Sequence, residues 1–177
     1  MRSLTYDVAT SLDGFICHLD GSIDGFVPDG PHDDDYLERL RSYDTVVMGR
    51  RTYEFGYAYG LVPSNRAYPH MDHVVFSSTL AFEHRHELHI VADEAEDVVR
   101  ELKGGMGSKI YLCGGSRIAG ALLEAKLIDR LLLKVNPFVM GDGLPLFSSA
   151  TTVRLLSTGI TRYENGVILA EYDIAYD

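Results

Sequence analysis

The chain has 177 residues, 46% of them hydrophobic and 24% charged, with a formal net charge of −10. That length suits one domain, 1–177, with a real core, and the charge argues against a nucleic-acid partner, whose phosphates are neutralised mainly by Lys and Arg. No apolar run approaches the roughly 18 residues of a membrane span, the N-terminus is strand-like with an early acid rather than a signal peptide, and Cys17 and Cys113 are too few for a disulfide framework; a cytoplasmic protein that binds no membrane is expected.

Leu4 to Thr10 reads as an extended run, followed by an irregular piece, Cys17 to Pro31, rich in Gly, Asp and Pro. Loops of that length in a compact domain are often functional. Asp34 to Tyr43 reads as helical, Thr45 to Met48 as extended and Arg51 to Tyr59 as helical, with a second irregular piece over Gly60 to Asp72. Then come extended runs at His73 to Phe76 and Leu88 to Val91, a helix at Glu94 to Leu102, a strand at Ile110 to Leu112, a helix at Ile118 to Ala125, and a strand at Arg130 to Val135. Repeated strand-then-helix order predicts an α/β fold with a mostly parallel sheet and helices on both faces. After Pro137 the pattern changes. Thr152 to Thr161 and Val167 to Tyr176 flank the turn signal Asn165-Gly166, which predicts an antiparallel C-terminal hairpin closing one edge.

Three corners at strand ends carry chemistry. In Lys109 to Gly120 the strand runs into Gly114 and Gly115, and the next helix opens with Ser116 and Arg117. Glycines let a phosphate approach the backbone, and the helix N-terminal N–H groups face the gap. The same turn also serves close helix–strand packing. At the second corner, Met48-Gly49-Arg50-Arg51-Thr52, guanidinium groups match phosphate oxygens, although an Arg pair at a helix start is as readily a solvated one. At the third, Phe76 is followed by Ser77, Ser78 and Thr79, hydroxyls that bind phosphate or shape a turn. Two anion sites at strand ends suit a dinucleotide.

Other features are blander. The histidines in Glu83 to His89 lack metalloprotease spacing and read as an exposed polar connection, so no metal is expected. Tyr53 and Tyr57 share a helical face and read as core packing, and Cys113 reads as a small buried hydrophobe.

Thr10-Ser11-Leu12-Asp13-Gly14-Phe15-Ile16, Met48 to Glu54, Phe76-Ser77-Ser78, Cys113 to Ile118 and Asn136 to Gly143 together resemble the dihydrofolate reductase-like family, in the branch similar to the reductase domain of riboflavin biosynthesis. The resemblance covers nearly the whole chain in order. It implies a three-layer α-β-α architecture and NADPH as cofactor. It also implies the cofactor's contacts: the backbone at Ala9 on the nicotinamide carboxamide, Gly49, Arg50, Arg51 and Thr52 at a phosphate-binding corner, Ser77, Ser78 and Thr79 at the ribose 2′-phosphate, and Gly114, Gly115, Ser116, Arg117 and Ile118 at the pyrophosphate. A homodimer is expected from the resemblance and from the exposed edge of the hairpin.

On the substrate side, Asp33, Leu37 and Leu40 fall at i, i+4 and i+7, which predicts one helical face with Asp33 inward, where it would orient or protonate a substrate. Capping and the helix dipole are the competing explanation for Asp33, Asp34 and Asp35. No tryptophan accompanies the acid, so the pattern departs from folate reductases proper. The function expected is hydride transfer from NADPH to a small pteridine-, pyrimidine- or flavin-related heterocycle. The alternatives are a nucleotide-binding module without turnover and a riboflavin-pathway 5-amino-6-(5-phosphoribosylamino)uracil reductase.

Overall fold

Strand β1 (Leu4–Thr10) shows how the sequence sorts itself into layers. Successive side chains of a strand point to opposite faces. Leu4, Tyr6 and Val8 therefore join one apolar cluster, while Thr5, Asp7 and Ala9 face the other way. The computed structural model describes residues 1–149 and 151–176.

The remaining elements are β2 (Phe15–Cys17), α1 (Pro31–Leu40), β3 (Tyr43–Gly49), α2 (Arg50–Phe55) with a 3-10 turn over Gly56–Tyr59, β4 (Asp72–Phe76), β5 (Leu88–Val91) and α3 (Ala95–Gly104). They continue with β6 (Lys109–Gly114), α4 (Ser116–Glu124), β7 (Arg130–Val135), β8 (Leu144–Pro145), β9 (Arg154–Arg162) and β10 (Ile168–Ala175). The main sheet has the order β5-β4-β3-β6-β1-β7-β10-β9. Strands β5 through β7 in that order run parallel, and the β9–β10 hairpin continues the sheet antiparallel.

Helices α3 and α4 bury Val99, Ala119, Leu122 and Leu123 against Leu4, Tyr6, Ile110 and Leu112 on one face. Helices α1 and α2 bury Leu40 and Tyr53 against Tyr43, Val46, Met48 and Tyr111 on the other. The expected three-layer α/β fold with its C-terminal hairpin is what forms. No helix among the described residues is long and apolar enough to cross a membrane.

Three local departures have plain causes. Helix α1 begins at Pro31, three positions before the expected Asp34, because proline is favoured in a first helical turn and Gly30 takes up φ +147° in front of it. It stops at Leu40 because Tyr43 already belongs to β3. The helix expected over Arg51 to Tyr59 is α-helical only to Phe55 and then tightens to a 3-10 turn, ended by Gly60 at φ +88°. The small β2–β8 sheet was not expected, since runs of two and three residues carry no readable period.

Candidate functional site

The carboxyl ends of β4, β3, β6 and β1 are neighbours in the sheet, so the corners that follow them share one edge. Gly49 pairs with Phe76 and Met48 with Gly114, which puts the β3, β4 and β6 corners side by side. Open α/β sheets take ligands at this edge.

At the β6 corner the Gly114–Gly115 peptide bond is cis, and Gly114 stands at φ +129°, a conformation that side chains disfavour. A Cβ on Gly115 would sit 3.3 Å from Thr52 Oγ1, so the Thr52 hydroxyl faces the glycine turn. Ser116 opens α4 and is 7% exposed, yet its Oγ has no hydrogen-bond partner among the described residues. A buried hydroxyl left unpaired is costly and is rare in native structures. Arg117 points to solvent, while Ile118 packs toward the core beneath. The residues present thus fit an anionic nucleotide: a glycine cradle, a helix N-terminus and a hydroxyl without an acceptor.

At the β3 corner Arg50 leans back on Glu54 at 3.5 Å, whereas Arg51 is exposed and forms no ion pair among the described residues. At the β4 corner the Ser77 hydroxyl accepts from Thr79 N at 3.1 Å and Leu80 N at 2.8 Å, so it shapes the turn. Ser78 and Thr79 are exposed beside it.

Above β1 and β7 three loops are tied together. Asp13 accepts from Met140 N at 3.0 Å and Gly141 N at 2.8 Å, and the first of these, with Ser11, holds its carboxyl down to about 2. Asn136 Oδ1 accepts from Val27 N at 3.0 Å, and its Nδ2 donates to Thr10 O at 3.3 Å. The Cys17 to Pro31 segment is thereby anchored over the end of β1, next to Ala9.

The face under α1 holds charges that sequence reasoning missed. Asp7 has a side-chain exposure of 0% and accepts from Arg39 Nε at 2.9 Å and Arg39 Nη2 at 3.4 Å. Lys134, in register with Ala9, shares that face, and its Nζ lies 3.6 Å from the centroid of the Tyr36 ring. Burial pushes the Lys134 ammonium below the ordinary lysine value, with Asp7 opposing. The Tyr36 hydroxyl meets those of Tyr111 at 2.8 Å and Tyr68 at 3.3 Å, and Tyr68 in turn approaches Cys113 Sγ at 3.6 Å. Burial raises the Cys113 thiol's pKa, as a small apolar role requires.

The face expected for α1 needs correction. Leu37 is 55% exposed; Tyr36, Arg39 and Leu40 are the residues turned to the sheet, while His32 is buried against Asn165 and Tyr163 at the hairpin turn. Asp33 stands at their rim, half-buried, 3.7 Å from His32 Nε2, and its charge reaches Lys134. The signals available beforehand were an acid inside an otherwise apolar β1 and a lysine after three leucines in β7.

An eight-stranded sheet of this order, flanked by helices on both faces and edged by glycine and hydroxyl corners, defines a dihydrofolate reductase-like α/β protein. The family model described as RibD C-terminal domain matches residues 2–169, and the chain belongs to that family. It is 32% identical over 163 residues to the uncharacterized protein YwjB of Bacillus subtilis (strain 168), covering 89% of this chain and 91% of that one. Among solved structures, a putative riboflavin biosynthesis protein from Shewanella sp. PV-4 superposes with a TM-score of 0.80 at 22% identity, covering 99% of this chain and all of the other. The diaminohydroxyphosphoribosylaminopyrimidine deaminase/5-amino-6-(5-phosphoribosylamino)uracil reductase of Thermotoga maritima superposes with a TM-score of 0.70 at 14% identity, covering 98% of this chain and 57% of that one.

Proposed function

We propose that the protein is an NADPH-dependent reductase that transfers a hydride to a small pteridine-, pyrimidine- or flavin-related heterocycle. The observation that carries this reading is the buried Ser116 hydroxyl, without a partner among the described residues, at the start of α4 beside the Gly114–Gly115 turn. A phosphate there would accept from Ser116 and from the first N–H groups of the helix, completing what the fold leaves open. Membership of the RibD C-terminal domain family supports a reductase, and the Thermotoga protein's name supplies one member of the substrate class, a phosphoribosylaminouracil.

The bound cofactor supplies the hydride; the protein binds, orients and excludes water. Gly114 to Ile118 hold the pyrophosphate. Gly49, Arg50, Arg51 and Thr52 present cations and a hydroxyl to the phosphates, and Ser77, Ser78 and Thr79 receive the ribose 2′-phosphate that selects NADPH over NADH. The backbone at Ala9 takes the carboxamide, under loops pinned by Asp13 and Asn136. Asp33, at the rim of the α1 face, orients the substrate or relays a proton to it. The working unit is a homodimer, because β9 leaves Leu156 and Ile160 exposed on the last strand of the sheet.

Calorimetric titration tests the cofactor. NADPH should bind in the micromolar range and NADH at least tenfold more weakly; no heat and no thermal stabilisation at millimolar NADPH would sink the reading.

A further inference from the structure

Lys134 is 9% exposed, and its amine makes no hydrogen bond and no ion pair among the described residues. The stem is enclosed, while the amine itself is not among the fully enclosed unpartnered atoms and still reaches solvent, so it stands at the inner end of an opening with its donors free for a ligand. The Tyr36 ring, 3.6 Å away, holds the amine in place but accepts no hydrogen bond of ordinary strength. The Asp7 carboxylate, whose charge favours the ammonium, is gripped by Arg39 through both oxygens. Its N–H donors are therefore left without acceptors among the described residues.

The placement is specific. Lys134 pairs in register with Ala9, one residue before the end of β7, on the sheet face covered by α1. The groups around it are Asp7 on β1, Asp33, Tyr36 and Arg39 on α1, and Cys113 on β6, with the hydroxyls of Tyr111 and Tyr68 behind Tyr36. Asp7 and Asp33 balance Arg39 and Lys134 in charge. A ligand that completes this site needs an acceptor oxygen but no net negative charge, and its flat body would meet aromatic rings. The carbonyl of a ring lactam, as in oxo-pyrimidines and oxo-pteridines, has that chemistry.

We propose that Lys134 is the substrate-recognition residue of this site, donating to the carbonyl oxygen of a lactam-bearing heterocycle and excluding rings that lack that oxygen. This rests on the reductase reading for the identity of the site, but its test uses no nucleotide. Such a contact discriminates strongly, because a bound analogue without the oxygen would take the amine's water and leave the donor unpaired.

The experiment titrates the apo protein with uracil, lumazine and 2-pyridone, and with unsubstituted pyrimidine as the control lacking oxygen. Binding is read by calorimetry and by the Lys134 side-chain NMR signal, assigned by its loss in Lys134→Met. At least one lactam should bind, shift that signal, and lose tenfold or more in affinity in Lys134→Met, while Lys134→Arg regains part of the loss and unsubstituted pyrimidine binds the two proteins alike. Lys134→Met should resist urea as well as the parent protein or better, since an apolar group replaces a buried charge; a purely structural lysine would instead lower that resistance and leave lactam affinity unchanged. Failure of all three lactams to bind at millimolar concentration, or equal affinity in Lys134→Met, overturns the proposal. Absence of NADPH binding would overturn the reductase reading and leave the lactam result standing.

Discussion

Arg39 Nε donates to Asp7 Oδ2 at 2.9 Å, joining the last turn of α1 to the middle of strand β1. The carboxylate is wholly buried, whereas the guanidinium keeps 20% of its side-chain surface. Removing the cation strands the anion, which makes Arg39→Met costly; about 3 kcal/mol is expected, the low end for a broken buried pair because Lys134 stays close. Urea unfolding at unchanged slope measures it. The double variant Asp7→Leu, Arg39→Met should recover much of the loss, and an Arg39→Met protein as stable as its parent would contradict the assignment.

Ser116 separates stability from binding. Its buried hydroxyl has no partner among the described residues, so Ser116→Ala should leave the apo melting temperature unchanged or slightly higher. The same change should weaken NADPH binding by about 1 kcal/mol, roughly fivefold, the worth of one hydrogen bond. A destabilised variant with undiminished NADPH affinity would show that the hydroxyl is structural.

His73 sets an acid limb. The ring is buried; Nε2 accepts from Tyr68 N at 3.2 Å and Nδ1 donates to Met71 O at 3.0 Å, an arrangement that needs the neutral ring. Burial lowers its pKa from 6.5, so the unfolded chain takes up the proton first and stability falls as pH drops below that value, levelling off beneath the folded pKa. Thermal unfolding between pH 7.5 and 4.5 should therefore show a steeper acid loss for the parent than for His73→Gln. Superimposable curves would refute this.

The edge strand β9 exposes Leu156 at 50% and Ile160 at 62%. Sedimentation should give the mass of two chains, and Leu156→Glu with Ile160→Glu should give one, because buried like charges oppose association. A parent protein that sediments as a single chain at tens of micromolar would remove the dimer.

The order of strands and helices was legible because each has its own period, and because glycines and Asn165-Gly166 punctuate them where backbone conformation demands it. The glycine turn and helix start at Gly114 to Ser116 were legible for the same reason, since both are local in sequence. Helix α1 was misplaced in register: Leu37 fits the apolar spacing, but Tyr36 and Arg39 are the residues that reach the sheet.

By itself the sequence determined the layers of the fold and the polar character of one sheet edge, both of which follow from short-range periodicity and turn chemistry. Only the tertiary structure decided how the charges are shared. Asp7, Arg39 and Lys134 come from β1, α1 and β7, and the β1–β7 register sets Lys134 beside Ala9 while Arg39 reaches Asp7 from above. A lone charge in an apolar strand announces that something must satisfy it, but pairing is a contact between distant segments, and nothing local says that Asp7 is satisfied by the fold and Lys134 is not.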